Sequence, residues 1–190
     1  IAGRECGIDN GETLIYSAFG RSKEENSRML REACGEDFPC ERFFARRVEI
    51  MDAIIAKNGL PVKPGLYELL DFLEQNGYLR ATSTRREHAM RYFSMAGITD
   101  RFDAVATGDM VQRGKPFPDV FLKACELLGE APENCLALED SLNGIRAAFN
   151  GGLQPFMVPD LIEPDAETLA LLRGKGQTLR DVIRFLQQQA

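Results

Sequence analysis

The sequence predicts an α/β fold: a parallel sheet with right-handed crossovers, preceded by a smaller helical segment. Three observations carry this. From about residue 60 onward, short apolar strands alternate with amphipathic helices, and the helices are stopped by Gly77, Gly97, Gly129 and Gly151. Residues 1 to about 60 show helical spacing and no convincing strand. Four polar groups, Thr82, Lys115, Glu139 and Asp140, fall at or just after strand carboxyl ends, where such sheets bind ligands.

In the first segment, Ser22 followed by Glu25 fits a capping box, and Met29 and Leu30 begin an apolar face. Phe43, Phe44, Val48, Met51, Ile54 and Ile55 mark a longer helix ending near Gly59, with Phe43, Phe44 and the methionines read as core filling. The result is a helical hairpin or small bundle. The pattern changes at Leu60-Pro61-Val62-Lys63-Pro64-Gly65. Leu66, Leu69, Leu70 and Leu73 then line one helix face, and Gly77 takes the position after its end. A strand over Tyr78 to Ala81 runs into Thr82-Ser83-Thr84. A helix from Arg85 carries Ala89, Tyr92 and Phe93, and a strand covers Phe102 to Ala106. Val120, Phe121, Ala124, Leu127 and Leu128 mark the next helix. The strand from Cys135 to Leu138 stops in Glu139-Asp140, and a helix with Ile145, Ala148 and Phe149 follows. A strand over Pro155 to Val158 and a helix from Leu179 to Gln188 close the chain. There is no internal repeat and no low-complexity segment.

Composition excludes several classes. At 190 residues with 44% apolar content, the chain can bury a core for one domain, or a domain plus a small insertion. A net charge of −6 disfavours broad nucleic-acid binding, and no apolar run approaches a membrane span. The five cysteines, Cys6, Cys34, Cys40, Cys125 and Cys135, are scattered and form no Cys-x-x-Cys. They read as reduced thiols of a cytoplasmic protein. His88 is the sole histidine, so a zinc site lacks its ligands. The expected partner is a small molecule, and the chain is expected to be a monomer or weak dimer.

The chemistry gathers in two runs, Gly114-Lys115-Pro116-Phe117-Pro118-Asp119 and Leu136-Ala137-Leu138-Glu139-Asp140-Ser141-Leu142-Asn143-Gly144. Unpaired carboxylates inside a core cost several kcal/mol. Glu139 and Asp140 therefore emerge from their strand into a polar crevice, and Ser141 is placed to cap the next helix. One cation and two carboxylates converging at strand ends suit a metal ion and a phosphate.

These residues resemble the haloacid dehalogenase (HAD) superfamily, in its phosphatase and β-phosphoglucomutase-like branch with a helical cap. Ala81-Thr82-Ser83-Thr84 is similar to the family's second motif, the Gly114 to Phe121 run to its third, and Leu138 to Ile145 to its fourth. The resemblance implies a three-layer Rossmann-like core over residues 62–190 and a cap over residues 1–61. It implies that Thr82 contacts the transferring phosphoryl group, with Ser83 as a neighbouring donor, and that Lys115 steadies nucleophile and phosphate charge. It also implies Mg2+ bound directly by Asp140 and indirectly by Glu139. Asn143, Arg85, Arg86, Arg21 and Lys23 are candidate substrate contacts that read equally well as solvated or capping groups. Lys23 lies where mutase-like relatives carry a phosphate-gripping basic residue.

One departure is large. The family's first motif, Asp-x-Asp-Gly, supplies the aspartyl nucleophile and the acid/base, and this sequence contains no Asp-x-Asp. Asp9-Asn10-Gly11 lacks the second Asp and follows no apolar strand. The expectation is that the chain begins inside the cap, with the first strand and its nucleophile upstream of Ile1. Losing a central strand leaves buried backbone groups unpaired, so residues 1–190 alone are expected neither to turn over phosphate esters nor to fold stably.

The implied activity is Mg2+-dependent hydrolysis of a small phosphomonoester, such as a sugar phosphate, through an aspartyl-phosphate. The alternatives are a hexose-phosphate mutase and a non-catalytic binding or regulatory module. A signalling receiver domain is disfavoured, because its acid pair comes early and its lysine late. A dehalogenase is disfavoured because it has no use for a metal-suited acid pair.

Overall fold

Leu136, Ala137 and Leu138 point alternately to the two faces of one strand, and each face has its own covering helices. This is seen in a computed structural model of the chain, which describes residues 1–8, 14, 23–84 and 86–189, with backbone only at 83, 84 and 86–89. The chain divides into two units, Ile1–Pro61 and Val62–Ala190.

The first unit holds α1 (Ala2–Glu5), α2 (Lys23–Cys34) and α3 (Cys40–Asn58). Its core comprises Ala2, Ile8, Leu30, Phe38, Cys40 and Phe43, with Met29, Phe44 and Ile50 packed against it. The expected apolar stripe on α3 is only partly covered. Ile55 is buried, but Val48, Met51 and Ile54 are exposed, so Met51 is a correction to the core assignment. Three methionines of the second unit, Met90, Met95 and Met110, are exposed as well. Methionine spacing gave a false signal because its thioether is tolerated on a helix face that nothing covers. The proposed capping box lies outside the described residues, because Ser22 does.

The second unit runs α4 (Leu66–Gln75), β1 (Ala81–Thr84), α5 (Arg86–Ala96), β2 (Ala104–Thr107), α6 (Asp119–Leu128), β3 (Leu136–Glu139), α7 (Leu142–Asn150), β4 (Gln154–Met157), α8 (Ala166–Leu169), β5 (Gly174–Lys175) and α9 (Leu179–Gln187). The described strands form two parallel sheets, β1-β2 and β3-β4-β5. One cluster beneath α6 joins them: Ala106 of β2 and Ala137 of β3 pack with Val120, Phe121, Ala124 and Cys125, and Ala81 lies against the same cluster. On the opposite face, Leu136, Leu138 and Phe156 meet Leu69 of α4 and Leu179 and Val182 of α9. Helices on both faces of parallel strands make the three layers. The last helix is tied back to the start of the unit. The Leu179 N–H donates to the Pro64 carbonyl at 3.0 Å, and the Arg180 guanidinium meets Glu68 at 2.5 Å.

The first strand is displaced from its expected span. Tyr78 and Leu79 are exposed, and pairing begins at Ala81, in register with Ala104. The cause is Arg80, whose backbone N–H donates to Asp103 Oδ2 at 2.7 Å and whose guanidinium meets the same oxygen at 3.2 Å. That clamp sets where the two strands begin, and it puts Thr82 inside β1 opposite Val105 instead of beyond the strand.

Candidate functional site

Glu139 is the last residue of β3, and α7 begins three residues later. Its carboxylate is almost completely enclosed, with the side chain 7% exposed. One oxygen pairs with the Lys115 ammonium. The other accepts from the Asp140 N–H, the Ser141 N–H and the Ser141 hydroxyl, each at 2.9 Å. Burial alone pushes this carboxyl up; the Lys115 charge and the Ser141 bonds outweigh it and hold the group below the usual carboxylate range. Ser141 also caps α7 by accepting from the Gly144 N–H at 3.1 Å.

Lys115 enters from the loop between β2 and α6. Its ammonium is 17% exposed as a side chain and lies 4.7 Å from the Phe121 ring centroid. The lysine is thus held by a carboxylate and a ring face at once. In the same loop, Arg113 forks onto Asp119 at 2.8 and 3.1 Å.

Asp140 differs from its neighbour. The residue as a whole is open to solvent, but its carboxyl is crowded by protein. That crowding, and then the adjacent Glu139 charge, push it up to about 6, against an opposing pull from Lys63 and Lys115. Among the described residues no lysine, arginine or histidine forms an ion pair with it. Lys63 gave no sign of a role in the sequence, where it only marked the segment boundary. Its ammonium bonds the Pro159 carbonyl at 3.0 Å, lies 3.6 Å from Asp160 Oδ1, and adds charge near Asp140. Nothing in a lone lysine before a proline would have revealed it.

The structure therefore brings Lys115, Glu139, Asp140 and Ser141 together, with Asn143 in the first turn of α7. Thr82 is half-buried in β1 and makes no polar contact with Lys115 or Glu139 among the described residues. Lys23 belongs to the first unit and pairs with Glu41 at 2.8 Å. Arg85, Arg21 and the side chains of Ser83, Arg86 and His88 lie outside the described residues. A recess of about 310 Å³ in the first unit, lined by Glu5, Cys6, Arg42, Arg46 and Glu49, contains none of the expected site residues. Arg46 there is taken up by Glu5 at 2.5 Å and Glu49 at 2.9 Å.

A three-layer parallel unit with a clamped lysine and a carboxylate pair at strand carboxyl ends belongs to the α/β proteins that hold ligands at that edge of the sheet. A sequence profile described as hydrolase, haloacid dehalogenase-like hydrolase, matches residues 10–152. The chain is 40% identical over 155 residues to the protein CbbY of Rhodobacter capsulatus, across 77% of this chain and 67% of that one. It is 31% identical over 145 residues to a phosphorylated carbohydrates phosphatase of Thermotoga maritima, across 75% of this chain and 67% of the relative. The match thus spans about two thirds of the length of these curated relatives. The crystal structure of CbbY from Rhodobacter sphaeroides in complex with phosphate superposes with a TM-score of 0.72 at 28% identity, over 90% of this chain and 79% of that one. The chain belongs to the haloacid dehalogenase-like hydrolases.

Proposed function

We propose that the protein is a Mg2+-dependent phosphoryl-transfer enzyme that hydrolyses a small phosphomonoester of the sugar-phosphate class through an aspartyl-phosphate. The observation that carries this is the Lys115–Glu139 clamp beside Asp140 at the end of β3. In this reading Ile1–Pro61 serves as the cap, and Val62–Ala190 as the core without its first strand. The nucleophile comes from a strand outside these 190 residues. What supports that is the absence of Asp-x-Asp from the sequence.

The residues fit a hard divalent cation in part. Asp140 offers carboxylate oxygens in a crowded position beside a second carboxylate, a situation that a cation relieves. Both Glu139 oxygens are already committed to donors, which suits an indirect role. No group of three or more potential metal ligands occurs among the described residues, and in this reading Asp140 is one ligand among several. When bound, Mg2+ supplies charge neutralisation at phosphoryl oxygens.

The chain's own groups do the rest. Lys115 holds a fixed positive charge where phosphoryl charge develops, and Glu139 keeps the ammonium from wandering. Thr82 and Ser83 donate hydroxyl hydrogen bonds to the phosphoryl group. Asn143, Arg85 and Lys23 orient the remainder of the substrate. The test is phosphate release from a panel of sugar phosphates, with and without Mg2+, by these 190 residues and by a longer product of the same gene. Release by the longer product only is expected. Release by the 190 residues overturns the external nucleophile, and glucose 1-phosphate isomerised without phosphate release replaces hydrolysis with mutase chemistry.

A further inference from the structure

Lys63 reaches the edge of the sheet where β3 and β4 end. Glu139 and Met157 stand opposite each other as the last residues of those strands, and beyond them the Val158 N–H donates to the Glu139 carbonyl at 2.8 Å. The chain then leaves β4 through Pro159 and Asp160, alongside Glu139-Asp140. There the Lys63 ammonium, 96 residues earlier in sequence than Pro159, donates to the Pro159 carbonyl at 3.0 Å and lies 3.6 Å from Asp160 Oδ1. The segment that carries the lysine is held from its other side. The Pro64 carbonyl accepts from the Leu179 N–H at 3.0 Å. Gly65 has φ of +92°, and a β-carbon there would stand 2.7 Å from the Arg180 backbone nitrogen. The Lys63 side chain thus starts from a fixed point and ends at one. Its head still has capacity. An ammonium carries three N–H donors. Among the described residues one goes to Pro159, Asp160 lies beyond hydrogen-bond distance, and the side chain is 31% exposed.

We propose, on the phosphoryl-transfer reading of Lys115 and Asp140, that Lys63 is a second fixed cation of the phosphate crevice and sets its preference for anionic ligands. Lys115 is already paired with Glu139, so much of its charge is answered inside the protein. The strand ends hold two further carboxylates, Asp140 and Asp160, and Lys63 is the ammonium on the loop that carries Asp160. Removing Lys63 leaves the edge more negative, which repels a phosphate anion and attracts Mg2+. Removing the Asp160 charge does the reverse and leaves the Lys63–Pro159 bond in place. The two variants therefore move each ligand in opposite directions. Mere disturbance of the loop after β4 would weaken both ligands together.

Titration calorimetry on the longer product of the same gene, in mildly alkaline, low-salt buffer, measures inorganic phosphate without metal and Mg2+ without phosphate. Lys63→Met is expected to bind phosphate more weakly and Mg2+ more tightly, each by on the order of threefold. Asp160→Asn is expected to bind phosphate more tightly and Mg2+ more weakly, and Lys63→Arg to match the parent. Added salt shrinks these differences, because exposed charges are screened. Lys63→Met that weakens both ligands, or changes neither, overturns the proposal. So does Asp160→Asn that fails to tighten phosphate, a result that decides the matter even where Lys63→Met does not fold. A parent that binds no phosphate overturns it as well. Neither measurement needs turnover, so a parent that binds phosphate but releases none from sugar phosphates removes the reaction and leaves the role of Lys63 standing.

Discussion

A β-carbon at position 144 would stand 2.0 Å from the carboxyl carbon of Glu139. Helix α7 therefore starts against the carboxylate that ends β3, at a distance only a glycine allows. The sequence Glu-Asp-Ser-Leu-Asn-Gly thus serves one geometric need. It lets a helix N-terminus close over an acid that is itself clamped to a lysine.

Gly144→Ala forces Glu139 or the first turn of α7 to move. The cost expected of such overpacking is about 1–3 kcal/mol, read as a lower urea midpoint. An unchanged midpoint would show that the carboxylate has somewhere else to go.

Lys115→Met removes one partner of an enclosed ion pair and leaves the other in place. Losses for such half-broken pairs run to about 3–5 kcal/mol. Glu139 keeps three backbone and hydroxyl donors, so the lower end applies. Adding Glu139→Gln to Lys115→Met should recover part of the loss. A double-mutant cycle with no coupling would mean the contact contributes nothing to stability.

Asp140 carries the opposite sign from most acids here. Its folded-state value lies above the ordinary carboxylate value, so its ionised form disfavours the fold. That penalty is fully present above about pH 6 and fades as pH falls toward about 4, the unfolded value. Asp140→Asn is therefore expected to melt higher than the parent at neutral pH and to converge with it in acid. Mg2+ should raise the parent's melting temperature and leave the variant's unchanged. A variant that melts lower at neutral pH, or that responds equally to Mg2+, contradicts this.

Four other aspartates titrate in the usual direction, Asp119 among them through the Arg113 guanidinium. Asp103 is held below the ordinary range by the Arg80 guanidinium, Asp181 by the Thr178 N–H, and Asp165 by the Thr168 N–H. Depressed folded values mean stabilisation complete above about pH 4 and lost as pH falls through them. Asp181→Asn removes a capping-box member and should flatten part of the acid limb of melting temperature against pH. An acid limb identical to the parent's would exclude Asp181 as a contributor.

Much of this was legible because the relevant signals are local. Lys115, Glu139, Asp140 and the Ser141 cap lie in two short runs whose spacing already implies a strand end and a helix start. Alternation from residue 60 onward gave the parallel class. What escaped depends on distant residues. The true start of β1 is set by Arg80 reaching Asp103, so Tyr78 and Leu79 read as strand but are not. Strand β5 consists of Gly174 and Lys175, which carry no apolar pattern, yet it pairs with Phe156 and Met157. Lys63 acquires its place only through Pro159 and Asp160.

The bond between Leu179 and Pro64, and the ion pair of Arg180 with Glu68, have a consequence for how the molecule is made. Glu68 and Arg180 are 112 residues apart in sequence, and α4 shares its apolar cluster with α9. During synthesis α4 emerges from the ribosome long before the helix that covers it. Until α9 arrives, Leu69, Phe156 and Val158 have no lid, and this face of the sheet is open to chaperones and to other nascent chains. The second unit thus matures in one late step, when its last helix leaves the exit tunnel.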